Sequence, residues 1–217
     1  MAYNGQDMVT GKSWRFWAFL MGLALTVALF ILAWAYPKFP GDDQVLHSIQ
    51  GLQATQTTWL DGVARSLDLL GELPVVLGLV GGLTLILFAA GRRADALMAI
   101  AALVFMAAGQ ILKPVVGRAR PDDLLAGAES AGFGFPSGHS VYAFLFGGLL
   151  IYFAGSLISN MWVRRIVQAS ICLWVVFMGT SRVYLGVHWP SDVIGGFMFG
   201  TIALAVIITL RNTLGSR

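Results

Sequence analysis

At 217 residues, 57% of them hydrophobic and 12% charged, with a mean hydropathy of +0.76, the chain lies outside the composition of a water-soluble domain and calls for a bilayer as its solvent. A formal net charge of +3 and an isoelectric point near 9.3 do not signal nucleic acid, because the basic residues form no continuous stripe for a phosphate backbone. The single cysteine, Cys172, excludes a disulfide framework and reads as a small core residue within an apolar run.

In chain order, six apolar stretches predict an all-α, six-span membrane protein forming a single domain over residues 1–217: Phe16–Tyr36, Leu73–Ala90, Ala96–Leu112, Ser140–Ile158, Ile166–Thr180 and Val193–Leu210. Most have the length a spanning helix needs. The first follows Lys12 and Arg15 and contains Ala33-Trp34-Ala35, a pattern close to a signal-peptidase site. Its apolar run of roughly 20 residues exceeds a signal-peptide core and predicts an uncleaved anchor.

Between the first two spans, Val45, Ile49, Leu52 and then Leu60, Val63, Leu67, Leu70 recur at helical spacing among polar residues. The pattern predicts amphipathic helices at the outer interface, as a lateral wall for a bound lipid or as a packing lid. His47, within the first of them, reads as a satisfied interfacial residue. The fifth stretch is short, and Met161–Arg165 extends it if Arg164 and Arg165 snorkel to the interface.

An even number of spans puts both termini on one side. Lys12, Arg15, Arg92, Arg93, Arg164, Arg165, Arg211 and Arg217 fall in the tails and even-numbered loops, which the positive-inside rule makes cytoplasmic. Asp42, Asp43, Asp61, Asp68, Glu72, Asp122, Asp123, Glu129 and Asp192 fall in the odd-numbered loops, which then face outward. A compact chain with short loops fits a bacterial plasma (inner) membrane.

Polar residues beside a bilayer are costly, so clusters of them point to function. Three clusters occur, all in outward-facing segments: Lys113-Pro114-Val115-Val116-Gly117-Arg118-Ala119-Arg120-Pro121, Phe135-Pro136-Ser137-Gly138-His139-Ser140, and Ser181-Arg182 followed by His188-Trp189-Pro190-Ser191-Asp192. Ser137, Gly138 and His139 at a helix start offer free N–H groups and the positive dipole end, which favour an anion. Arg120 and Arg182 can grip phosphate oxygens through planar forks, and Lys113 adds a point charge. Pro190 fits the first turn of the last helix. Asp192, in that same turn, can accept from His188 Nδ1–H and direct Nε2 at phosphorus. His139 would protonate the departing oxygen.

The three clusters resemble the signature motifs of the type 2 phosphatidic acid phosphatase superfamily: Lys, six residues, Arg-Pro; Pro-Ser-Gly-His; and Ser-Arg, five residues, His, two residues, Ser-Asp. Every defined position is met. The resemblance implies a membrane lipid phosphate or diphosphate phosphatase, working extracytoplasmically without metal or other cofactor. Lys113, Arg120 and Arg182 would bind phosphate with Ser137 and Gly138 assisting, His139 would be the acid, His188 the phosphohistidine nucleophile and Asp192 its orienting partner. Phosphatidate, phosphatidylglycerophosphate and undecaprenyl diphosphate are the candidate substrates. A phosphotransferase sharing the intermediate, or a lipid transporter with a vestigial site, are the alternatives. The expected partners are a phosphorylated lipid and membrane lipids, with no nucleic acid and no obligate protein partner.

A metal site built from His139, His188 and Asp192 is disfavoured because Lys113, Arg120 and Arg182 would repel a divalent ion. Arg118 lies outside the motif pattern and reads as a contact for lipid headgroups. Asp122 and Asp123 read as a solvated loop, Trp14, Trp17, Trp34, Trp162 and Trp189 as an interfacial aromatic belt, and Gly147-Gly148 and Gly195-Gly196 as helix-packing positions.

Overall fold

The computed structural model describes residues 6–51, 58–122, 124, 128 and 131–214; Leu52, Asp123 and Glu129 lie outside them. Eight helices follow in order among these residues: α1 (Gln6–Ala35), α2 (Asp42–Gln50), α3 (Thr58–Leu70), α4 (Leu73–Ala89), α5 (Arg93–Val116), α6 (Gly138–Leu157), α7 (Met161–Tyr184) and α8 (Pro190–Leu214). Five of them, α1, α5, α6, α7 and α8, are long and apolar enough to cross a membrane. The pair α3–α4, bent by 61° between Leu70 and Leu73, is apolar enough as a unit to count as a sixth candidate span.

α6 is the hub, packed on α5, α7 and α8, with α1 laid along α8 and α5 and with α4 against α5. Its buried Leu145 and Leu149 join Val80, Ala99, Met178 and Ile207 in the main core. Between helices in lipid there is little hydrophobic drive, so close backbone approach supplies the packing. Gly148 and Gly196 serve this: an added Cβ would come within 2.4 Å of Leu204 Cδ2 at the first and 2.8 Å of Ser137 O at the second. The apolar surplus faces outward instead, as at Leu85, Ile111, Val115 and Ile166. Cys172 is on that outer face too; an apolar run in a bilayer does not imply a protein core, and the core reading is corrected.

Trp14, Trp17, Trp34 and Trp162 are exposed as a belt requires, but Trp189 is buried. Its indole Nε1 donates to Ala119 O at 3.1 Å, so it joins two motif loops rather than meeting lipid. α7 extends through Met161–Arg165 as expected, capped by Asn160, whose side-chain Oδ1 accepts from Trp162 N and Val163 N. At its other end it runs past Thr180 to Tyr184. In the amphipathic region Leu46 and Ala64 are buried, Ile49, Leu60 and Leu67 partly so, and Val45, Val63 and Leu70 exposed. His47 is exposed on α2.

Candidate active site

The three polar clusters meet at one end of the bundle, where α5 stops, α6 starts and α7 turns into α8. Gly134 N donates to Arg118 O at 2.8 Å and Ser137 N to Asp192 O at 3.0 Å, so the second cluster is stitched to the first and the third. The tight turn after α7 needs Gly186 at φ +73°, a backbone state open to glycine at little cost. It carries His188 back beneath Arg182, whose carbonyl accepts from His188 N at 3.3 Å.

His188 is buried and held at both ring nitrogens. Nδ1 lies 3.3 Å from Asp192 Oδ2, and Nε2 lies 3.3 Å from an Arg120 guanidinium nitrogen. A carboxylate only accepts and a guanidinium only donates, which assigns the proton to Nδ1 and leaves Nε2 unprotonated, its lone pair turned toward Arg120. Burial, and then the charges of Arg120, Lys113, Arg182 and His139, hold its pKa well below the usual 6.5, favouring the neutral, nucleophilic ring.

Asp192 is fixed in turn. Its second oxygen accepts from Arg118 at 2.7 Å, and Trp189 N donates to Oδ2 at 3.0 Å. Arg118 is 2% exposed, which overturns its reading as a headgroup contact. Its guanidinium also donates to Ser191 Oγ at 2.7 Å, Asp42 Oδ2 at 2.9 Å and Pro37 O at 3.1 Å, and it stacks over Phe39 with 4.6 Å to the ring centroid. Asp42 completes the knot by accepting from Ser191 N at 3.0 Å and Ser191 Oγ at 2.7 Å. The start of α2 is thereby bound to the start of α8.

Four of the five predicted phosphate-binding residues, Lys113, Arg120, Gly138 and Arg182, line a cavity of about 770 Å³ with His139 and His188, whereas the fifth, Ser137, is fully buried beside it and does not line it. Arg120 spends much of its fork on carbonyls, donating to Val187 O at 2.7 Å and to Gly132 O and Ala131 O at 3.1 Å; its pKa is lowered by burial and by Arg182. It is therefore a rigidly aimed charge before it is a free clamp. Arg182 Nε and Ser137 Oγ are buried without a hydrogen-bond partner among the described residues. The cavity changes character with depth, passing from these cations to Val76, Leu77, Leu103, Val104 and Met106 between α4 and α5.

One residue of the site escaped the sequence reading. Asp68, near the end of α3, was placed only among the outward-facing acids. Its carboxylate pairs with Arg182 and lies 3.2 Å from His139 Nε2. Spacing alone gives no signal for it, since Asp68 lies 114 residues from Arg182. With Glu72 and His139 it forms a group whose candidate ligand atoms lie within 4.8 Å of one another. This is a different set from the one weighed in the sequence. The Arg182 guanidinium already holds the Asp68 carboxylate, which argues against a cation there.

Fold and site together define a multi-pass helical membrane protein with a cationic, two-histidine cavity at one end of its bundle. The PAP2 superfamily model matches residues 94–216, and the chain belongs to that superfamily. It is 31% identical over 153 residues to phosphatidylglycerophosphatase B of Bacillus subtilis, covering 69% of this chain and 74% of that protein. It is 26% identical over 134 residues to an undecaprenyl-diphosphatase of Sulfolobus acidocaldarius, covering 59% and 61%. The crystal structure of a transmembrane PAP2-type phosphatidylglycerolphosphate phosphatase from Bacillus subtilis superposes with a TM-score of 0.72 at 25% identity, covering 87% of this chain and 96% of that one.

Proposed function

We propose that the chain hydrolyses a lipid phosphate or diphosphate through a phosphohistidine at His188. The observation that carries this reading is the unprotonated Nε2 of a buried His188, facing the Arg120 guanidinium, steered by Asp192 on its other nitrogen and bordering a cavity lined by Lys113, Arg120 and Arg182. Nε2 attacks phosphorus, and His139 protonates the leaving oxygen. The three cations stabilise charge on the transferring group, with Ser137 and the helix start at Gly138 assisting. Water then repeats the displacement with His139 as base. No metal or cofactor enters the scheme.

The apolar depth of the cavity supports a lipid substrate, since Leu77 and Val104 on its wall are also exposed on the outer face of the bundle and offer an acyl or prenyl chain a path to the bilayer. Relatives named for phosphatidylglycerophosphate and undecaprenyl diphosphate support the same substrate classes. The extracytoplasmic orientation is supported by Arg92, Arg164 and Arg211, which sit at the helix ends opposite the cavity where the positive-inside rule expects them. In that orientation both termini are cytoplasmic, and the whole chain works as one domain.

The test is chemical trapping. Labelled phosphatidate or undecaprenyl diphosphate, quenched in alkali during turnover, should leave acid-labile phosphate on His188, and His188→Ala should leave none. Release of the label to water marks a hydrolase, whereas transfer to added acceptor lipid marks a phosphotransferase. Lipid movement with no trapped phosphate would overturn the enzymatic reading altogether. Vanadate, which mimics the five-coordinate phosphoryl state, should inhibit, and a divalent-metal chelator should leave the rate unchanged.

A further inference from the structure

His139 has a carboxylate partner that belongs to none of the three motifs. Its Nε2 lies 3.2 Å from Asp68 Oδ1 and 3.1 Å from the Asp68 backbone oxygen. Both are acceptors, so Nε2 must carry the hydrogen whether the ring is neutral or charged. The same edge of the ring is closed by the chain turning from α3 into α4: a Cβ added to Gly71 would lie 1.9 Å from His139 Cδ2 and 2.4 Å from Nε2. No leaving group reaches Nε2 while that corner is seated.

We infer that Asp68 is the positioning residue of His139, fixing one proton on Nε2 so that Nδ1 is the atom that exchanges protons with substrate. The two histidines then present opposite nitrogens to phosphorus: His188 is held through Nδ1 by Asp192 and attacks with Nε2, while His139 is held through Nε2 by Asp68 and works with Nδ1. Asp68 is itself restrained, because Arg182 pairs with the same oxygen. Two turns earlier on α3, Asp61 accepts from Tyr184 Oη at 2.5 Å, tying that helix to the end of α7.

The inference rests on the phosphohistidine reading, and the proton accounting follows from it. In the first step the His188 Nε2–P bond forms and the P–O bond to the leaving group breaks. The leaving oxygen keeps the electron pair and takes the proton from His139 Nδ1. In the second step water oxygen bonds to phosphorus, the N–P bond breaks, and water's proton returns to His139 Nδ1. Asp68 stays a carboxylate throughout.

The experiment is a leaving-group series on the full-length protein in detergent, from 4-nitrophenyl phosphate, whose leaving oxygen needs no proton, to alkyl phosphates, whose leaving oxygen does. Asp68→Asn should lower kcat for alkyl phosphates by about 10- to 100-fold, and for 4-nitrophenyl phosphate by less than about threefold, as loss of acid assistance predicts. Asp61→Asn, which loosens α3 without touching His139, should leave the ratio between the two substrates unchanged. An equal loss across the series would overturn the inference, because it would reduce Asp68 to a prop for Arg182. So would tighter inorganic phosphate binding in Asp68→Asn with no change in the ratio, the mark of a competing anion, or an Asp61→Asn protein that reproduces the ratio. If Asp68→Asn does not fold, the nitrogen-15 spectrum of His139 in the unmodified protein decides, with hydrogen on Nε2 expected and hydrogen on Nδ1 alone overturning. Persistence of the trapped phosphohistidine separates failure of this role from failure of the proposed function.

Discussion

Arg118 carries no motif position, yet two carboxylates depend on it. Its guanidinium and the carboxylates of Asp42 and Asp192 are almost fully buried, and removing one partner of such a set leaves an uncompensated charge, which typically costs about 3–5 kcal/mol. Arg118→Ala is therefore expected to lower stability by that order and to cut turnover, as measured by thermal unfolding and lipid phosphate release in detergent. At His188 the depressed pKa gives a sign for the pH profile. Protonation removes the attacking lone pair, so kcat/KM should fall as pH drops through a value below 6.5, not at 6.5 itself. Replacing Arg120, the largest charge contribution to the depression, with Ala should move that limb upward. The motif residues were legible because each spacing fixes its residues on one short segment. Arg118 and Asp68 were not, because what decides their role is a partner 76 residues away in one case and 114 in the other, which only the folded chain supplies.

Among the helices, apolar run length located five spans and the α4 arm of the bent pair, but misjudged their ends. The fifth run stops at Ser181-Arg182 in sequence, yet α7 continues to Tyr184, since Arg182 lines the cavity and Ser181 Oγ donates back to Met178 O at 2.8 Å, so neither needs to leave the bundle. The same holds for Lys113, inside the last turn of α5. Nor could hydropathy foresee that α3 and α4 form one bent unit whose corner rests on His139. Gly71 has no room for a side chain there. Gly71→Ala should displace the ring or lift the corner, reducing turnover by at least tenfold while detergent-solubilised protein stays folded, as a melting curve run beside the assay will check. Gly62, on α3 with no neighbour near its absent side chain, is the control substitution expected to be silent.

For the molecule as a whole, the basic helix ends and the cavity stand at opposite poles. In a Cys172→Ser background, cysteine introduced at the exposed Asp122 should react in intact cells with a membrane-impermeant maleimide, and cysteine at Ser159, beside the start of α7, should not; the reverse pattern would invert the assigned orientation. The bent pair has a further consequence. α4 has 17 residues, a length of about 26 Å at 1.5 Å per residue, against a typical hydrocarbon thickness of about 30 Å. A helix shorter than the hydrocarbon can draw the bilayer thinner around it, and thinning beside α4 draws headgroups toward the depth of the cationic cavity. The protein would thus borrow part of the work of lifting its substrate from the elastic deformation of the surrounding leaflet, and reconstitution in phosphatidylcholines of increasing acyl length should show turnover declining as the host membrane thickens.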